Sequence, residues 1–209
     1  MYEEAVKTVT VEKSGYKHTI KLYPDCHAED PRDWDGHIST FALTHKRYNM
    51  ANEFNWLNFN DYNSFDEVLE AVKEREKIVA YRWVRGYEHG SLVLSLSAAG
   101  QFSCPWDSGW MGFIFVTEES MKENYPTLPR DDWEKTANEA IEAEFKTYNA
   151  YVVGDVYCYR ITGDLCDDSC CGYYSSEDAI SEAESIIDAV VKHKLEEADH
   201  GILIHEMLG

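Results

Sequence analysis

A turn that leads directly into a strand is predicted by residues 102–116, Phe-Ser-Cys-Pro-Trp-Asp-Ser-Gly-Trp-Met-Gly-Phe-Ile-Phe-Val. Ser, Asp and Gly are typical turn residues, and the apolar tail 112–116 predicts a strand. Just upstream, residues 77–84 and 91–97 read as two strands around the Gly-containing segment 86–90. This arrangement predicts a β-hairpin.

Outside this region, strands and helices alternate in groups. The apolar periodicity and turn residues predict strands over 7–13, 16–23, 37–44 and 152–162, and helices beginning after Ser64, over 130–148 and after a cap at Ser176, with polar loops at 24–36 and 164–172. Strands that mostly follow one another favour an α+β fold, an antiparallel or mixed sheet packed against two or three helices. We expect one domain over 1–209, with an acidic C-terminal helix in 176–209 as a candidate addition.

The chain is strongly acidic, with 39 Asp and Glu against 19 Lys and Arg and a formal net charge of -20 over 209 residues. Residues 1–100 carry a net charge of -4 and residues 101–209 carry -16. A field of this sign repels nucleic acid and anionic membranes and attracts basic surfaces. The alternative is that the charge only keeps the protein soluble.

Composition also predicts the compartment. The N-terminus lacks the basic and apolar regions of an export signal, and no apolar run approaches the length of a membrane helix. We therefore expect a soluble protein of the cytosol, with no membrane partner. Its six cysteines are then expected to stay reduced.

Several blocks of the chain resemble an uncharacterised family of bacteriophage and mobile-element proteins. They are Phe102-Ser103-Cys104-Pro105-Trp106-Asp107-Ser108-Gly109, Glu144 with Tyr148, Gly154-Asp155-Val156-Tyr157 and Asp168-Ser169-Cys170-Cys171-Gly172-Tyr173-Tyr174, with Trp34-Asp35 and His45-Lys46-Arg47-Tyr48-Asn49 upstream. The resemblance covers most of residues 30–174 and has no activity to transfer. It implies expression inside an infected bacterium, and hence the host cytoplasm.

Each catalytic or metal-binding interpretation of the chain has a structural alternative. Zinc sites usually take two close pairs of thiolates, whereas Cys166 and Cys170 form one loose pair. Cys104, set between aromatic residues, reads as a buried structural thiol rather than a nucleophile. Turn carboxylates could gather as a metal-dependent site, namely Asp107, Asp155, Asp164, Asp167 and Asp168 with Glu144. The structural alternatives are favoured, so we expect no catalytic residue, no metal and no cofactor.

The helix over 130–148 carries one conspicuous exception to its pattern. Glu144 falls inside the apolar arc, so it needs a partner such as an Arg or a Tyr hydroxyl unless it reaches water. The outer faces of the two long helices are acidic, and their residues are the expected partner-binding set: Asp132, Glu139, Glu142, Asp178 and Glu182.

The sequence thus favours a binding protein over an enzyme. The expected function is a phage-encoded inhibitor that binds a host defence protein, of the CRISPR-effector or restriction-enzyme type. It would occupy the basic groove of this nucleic-acid-binding protein by mimicry and would not bind nucleic acid itself. Two alternatives stay open: a small metal-dependent enzyme using the Asp- and Cys-rich turns, and a structural or regulatory phage protein.

Overall fold

The computed structural model describes residues 4–96, 104 and 106–208, with side chains up to residue 198. The chain folds into two compact units, residues 1–29 with 154–209 and residues 30–153. The elements in chain order are β1 Lys7–Lys13, β2 Tyr16–Pro24, β3 Thr40–Leu43, α1 Phe65–Lys73, β4 Ile78–Glu88, β5 Leu92–Ser95, β6 Ser108–Thr117, α2 Glu118–Asn124, α3 Trp133–Val153, β7 Tyr157–Gly163, β8 Asp168–Tyr173 and α4 Ser176–Leu208.

The first unit, which comprises the two ends of the chain, is an antiparallel sheet in the order β1-β2-β7-β8, covered by α4. The β1–β2 hairpin forms because both strands alternate apolar and polar residues around the turn at Gly15, where φ is +85°. Its core joins the inner residues of the sheet to one face of the helix: Val11, Ile20, Leu22, Tyr159, Ile161, Ala179, Ala183, Ile187 and Val191. α4 is therefore part of this unit's hydrophobic core.

The second unit, residues 30–153, is an antiparallel sheet in the order β3-β6-β4-β5 with helices on both faces. Alternate residues of β6 face opposite sides: Ile114 and Val116 join the core that contains α3, while Phe113 and Phe115 join the core that contains α1. Such two-sided burial explains why β6 is an unbroken apolar run rather than an alternating one.

Steric constraints explain why one position of β6 is a glycine. Gly112 has φ of +126°, and a Cβ at that position would lie 2.0 Å from the carbonyl oxygen of Ala42 in β3. Only glycine accommodates both the backbone conformation and the close approach of the two strands.

The predicted α+β class is confirmed, with antiparallel sheets and an acidic C-terminal helix, although the described residues form four α-helices rather than two or three. The prediction of one domain over 1–209, with 176–209 as a candidate addition, stays a prediction. Strand β3 is shorter than the predicted 37–44, and β4 runs on through Gly86 to Glu88 before the hairpin turns. Ser97 of the predicted strand 91–97 lies outside the described residues.

Three further local predictions are wrong. Val152 belongs to α3, which ends at Val153, so the strand that follows starts only at Tyr157. The segment predicted as a loop over 164–172 forms most of β8 from Asp168 onward. The cap of α4 is Ser175, whose Oγ accepts from the Asp178 amide at 3.0 Å, and Ser176 is already helical.

Candidate functional site

The first acidic face comprises Asp132, Glu139 and Glu142, which project from α3 and the 3-10 turn before it. All are exposed because the opposite side of the helix is buried in the second unit's core, through Trp133, Ala137, Ile141, Phe145 and Tyr148. Glu139 lies 3.8 Å from Lys135 one turn away. No cation among the described residues is at ion-pair distance from the other two carboxylates.

The second acidic face comprises Asp178 and Glu182, on the first turns of α4 in the first unit. Both are exposed, while Ala179 and Ala183 beside them are fully buried. The two carboxylates are one turn apart, about 6 Å along the helix axis. Within the described part of the chain neither has an ion-pair partner, whereas Asp188 farther along pairs with Lys13.

Five carboxylates expected to bind a partner are thus all exposed, three in one unit and two in the other. A basic partner would meet them with little competition from intramolecular ion pairs. Exposed charges of this kind contribute little to stability, so their placement leaves them free for binding.

Glu144 is held in a network of the kind that its position in the apolar arc predicted. Its Oε2 accepts from Arg32 Nη1 at 2.7 Å and from Ser39 Oγ at 2.6 Å, and its Oε1 accepts from the amides of Ile38 and Ser39 at 2.8 and 3.2 Å. The expected arginine partner is confirmed. The carboxylate's oxygens are occupied, so Glu144 serves to fix the segment around Ser39 to α3.

Arg32 is the centre of that network. Its side chain is 6% exposed, lies 4.1 Å over the Phe41 ring and also pairs with Glu53 at 2.6 Å. Burial raises the pKa of Glu53, and the charge and hydrogen bonds of Arg32 oppose that shift. The nearly buried guanidinium pairs with two carboxylates, so its role is to hold these segments together and not to bind a ligand.

The turn before β6 is less buried than the structural thiol expected at Cys104 implies. Trp106 is 93% exposed, and Cys104 is a half-buried rather than a buried free thiol, whose Sγ lies 3.3 Å from Asp107 Oδ2. Ser108 Oγ donates to the Cys104 carbonyl at 2.8 Å, which closes the turn. Phe102, Ser103 and Pro105 lie outside the described residues.

This turn borders a cavity of about 740 Å³ in the second unit, together with the segment that contains His45 and Arg47. Glu88 lies 3.5 Å from His45 Nε2 and 2.5 Å from Arg47 Nη2. His45 Nδ1 accepts from the Arg47 and Tyr48 amides at 3.1 and 3.3 Å, so a neutral ring carries its proton on Nε2, toward Glu88. Two of the blocks that carry the family resemblance therefore share one cavity, a proximity that the sequence could not provide.

The turn carboxylates predicted as an alternative metal site have other partners. Asp164 accepts from the Lys17 amide at 2.7 Å, and Asp168 accepts from the Tyr159 hydroxyl at 3.1 Å. Asp155 lies 3.4 Å from the Tyr157 hydroxyl. Among the described side chains, none of these belongs to a group of three potential metal ligands.

A different group does bring three potential ligands together, namely Asp25, Cys158 and Cys171, whose ligand atoms all lie within 4.8 Å of one another. Cys158 and Cys171 are joined by a disulfide, so the expectation that all six cysteines stay reduced is wrong for this pair. The pairing of β7 with β8 brings these residues together. The sequence pattern predicts a loop in place of β8, and the group could not be found without that strand.

Family models, curated proteins and solved structures were compared with the chain, and none of them matches it. The resemblance to a phage family therefore stays a prediction. Of the helices that the structure describes, none combines the length and apolarity that crossing a bilayer takes.

Proposed function

We propose that this protein is a phage-encoded inhibitor that binds a host defence protein in the host cytoplasm. The observation that carries the proposal is the state of the two acidic faces. Their five carboxylates are exposed on elements anchored by buried residues. Of these five, only Glu139 has an ion-pair partner among the described residues. A partner could therefore contact these carboxylates with only the exposed Lys135–Glu139 pair to displace.

The chemistry of the partner follows from that charge. A net charge of -20 favours a partner with a strongly basic surface, and defence proteins that bind nucleic acid carry a basic groove. Lys and Arg in the groove would meet carboxylates in place of phosphates. The partner class is therefore a CRISPR effector or restriction enzyme, bound by mimicry of its nucleic acid.

The test begins with capture of the partner from the host cell and then measures affinity across a salt series. The variant neutralises both acidic faces, with Asp132→Asn, Glu139→Gln, Glu142→Gln, Asp178→Asn and Glu182→Gln. We expect weaker binding, mainly through slower association, because charge complementarity acts chiefly on the association rate. Wild-type affinity should also fall as salt rises, since the screening length shortens to about 8 Å near 0.15 M.

A matched control separates the acidic faces from net charge. Asp66→Asn, Glu70→Gln, Glu74→Gln, Glu119→Gln and Glu123→Gln remove the same charge from other exposed positions of the chain. The control should keep more affinity than the test variant, and the partner's own nucleic acid should compete with the wild type. Equal binding by all three proteins at every salt concentration would refute the proposal and leave a structural or regulatory role.

A further inference from the structure

The ligand group at Asp25 lies where three strands of the first unit meet. Asp25 follows β2, and its amide donates to the Val156 carbonyl at 2.8 Å, which holds it beside the start of β7. Cys158 is in β7 and Cys171 is in β8. Asp25 and Cys158 are half-buried and Cys171 is exposed, so an ion could enter from solvent.

A β-bulge creates this meeting point. Tyr157 pairs with Tyr173 and Tyr159 with Cys170, which leaves Cys158 opposite both Cys171 and Gly172. The Cα atoms of Cys158 and Cys171 are 3.9 Å apart. The backbone itself therefore holds the two cysteines next to each other.

The carboxylate is also fixed before any ion arrives. Asp25 Oδ1 accepts from the His27 amide at 3.0 Å, and Oδ2 accepts from the Gly172 amide at 3.1 Å. Gly172 has φ of +86°, the left-handed conformation that turns its amide out of the ladder at the bulge. Each carboxylate oxygen keeps a lone pair, and hydrogen bonds to a ligand from outside the coordination sphere are what orient such ligands in metal sites.

We propose that reduction of the Cys158–Cys171 disulfide opens a zinc site formed by these two thiolates and the Asp25 carboxylate. Thiolates select Zn²⁺ over Mg²⁺ and Ca²⁺, and a carboxylate is an accepted third ligand. Tetrahedral bonds of about 2.3 Å to sulfur require a sulfur–sulfur separation of about 3.8 Å, which the side chains reach by rotating apart after the bond is broken. Solvent fills the fourth position.

The two states exclude each other chemically. A phosphine reductant gives two electrons to the disulfide and takes up the oxygen of a water molecule, leaving a phosphine oxide and two thiols. Zinc then displaces the two thiol protons. Metal binding at this site is thereby conditional on the redox state.

The expectation of no metal rested on the pair Cys166 and Cys170, which the structure does not place in this group.

The experiment uses the full chain, with and without phosphine, titrated with Co²⁺ and then with Zn²⁺ as competitor. We expect one Co²⁺ per reduced chain with a thiolate-to-cobalt charge-transfer band, displaced by Zn²⁺, and no such band in the oxidised protein. Cys158→Ser and Cys171→Ser should lose the band, and Asp25→Asn should lower affinity at least about tenfold. Cys166→Ser is the matched control and should bind as the wild type does.

A second measurement does not depend on the folding of a variant. Zn²⁺ added to the reduced wild type should protect Cys158 and Cys171 from alkylation, as mapped by mass spectrometry, while Cys166 still reacts. The proposal is overturned if the reduced wild type gives no charge-transfer band. It is equally overturned if zinc protects other cysteines and leaves this pair reactive.

Discussion

Arg32 and Glu144 form an ion pair across 112 residues of sequence, with Arg32 Nη1 2.7 Å from Glu144 Oε2. The pair connects a 3-10 turn near the start of the second unit to the middle of α3. Because Arg32 is almost fully buried, removing either charge leaves its counterpart without full compensation. Such removal costs far more than the intact pair contributes.

We therefore expect Glu144→Ala to lower the free energy of unfolding by about 3–5 kcal/mol. Glu142→Ala is the matched control, because it makes the same change on the exposed side of the same helix and should stay within about 0.5 kcal/mol. Urea unfolding of both variants provides the comparison. Equal midpoints would mean that the network around Arg32 does not stabilise the fold.

Tyr148 offers a second stability test. Its ring is 2% exposed and packs edge-on against Phe41, and its hydroxyl oxygen accepts from the Ala51 amide at 3.0 Å. Tyr148→Phe keeps the ring and removes the acceptor, which leaves a polar group of Ala51 unpaired. We expect a loss of about 1–3 kcal/mol in urea unfolding, and no measurable loss would show that water replaces the hydroxyl.

The same residue predicts a dependence on alkaline pH. Burial raises the pKa of Tyr148 from 10.0 to about 12. The folded state then holds the hydroxyl proton more tightly than the unfolded chain, so the stability from this group is complete below pH 10 and is lost as pH rises toward 12. The loss is about 2–3 kcal/mol. The stability gap between wild type and Tyr148→Phe should thus narrow near pH 12, and a gap that widens would contradict the shift.

Gly112→Ala should prevent stable folding of the second unit. The new Cβ would meet the Ala42 carbonyl oxygen at 2.0 Å, in a backbone conformation that disfavours any side chain. Gly109→Ala, three residues earlier in the same strand, is the control because nothing lies within 4 Å of its added Cβ. Circular dichroism and thermal unfolding should separate the two variants, and similar melting curves would contradict the close contact of β3 with β6.

Truncation of Trp106 and of Trp133 should have very different effects on stability. Trp106 is 93% exposed, so Trp106→Ala should change stability by no more than about 0.5 kcal/mol. Trp133 is 8% exposed and its Nε1 donates to the Leu128 carbonyl, so Trp133→Ala should cost about 3–5 kcal/mol. A large loss for Trp106→Ala would show that the Trp106 ring packs against the fold rather than facing solvent.

Local patterns in the sequence predicted local structure well. The β1–β2 hairpin was predicted within one residue, because alternation and a turn glycine are short-range properties. The start of α1 after Ser64 was predicted too: Ser64 Oγ accepts from the Glu67 amide, and the Glu67 carboxylate accepts from the Asn63 amide. By contrast, β8 was missed because its Asp and Gly are depleted in strands and because it is an exposed edge strand without apolar alternation.

Sites formed by segments that are far apart in the chain could not be predicted from one sequence. Glu144 visibly needed a partner, but nothing in the chain marked Arg32 among the other arginines. The meeting of Asp25 with Cys158 and Cys171 depends on β2 pairing with β7 and on a bulge in β8, and neither is encoded within a short window. The helix α2 was missed because a single buried residue, Met121, gives no periodicity.

The pairing of β2 with β7 sets an order of events during synthesis. Ile20 reaches its partner Ile161 only after the whole of residues 30–153 has been translated, so the β1–β2 hairpin emerges first and the inner edge of β2 stays unpaired until then. The intervening unit can complete its own sheet during this delay, since its strands all lie within its own range. We infer that the second unit completes its folding before the first during synthesis. A nascent chain stalled before β7 then exposes the unpaired edge of the hairpin, which is prone to aggregation.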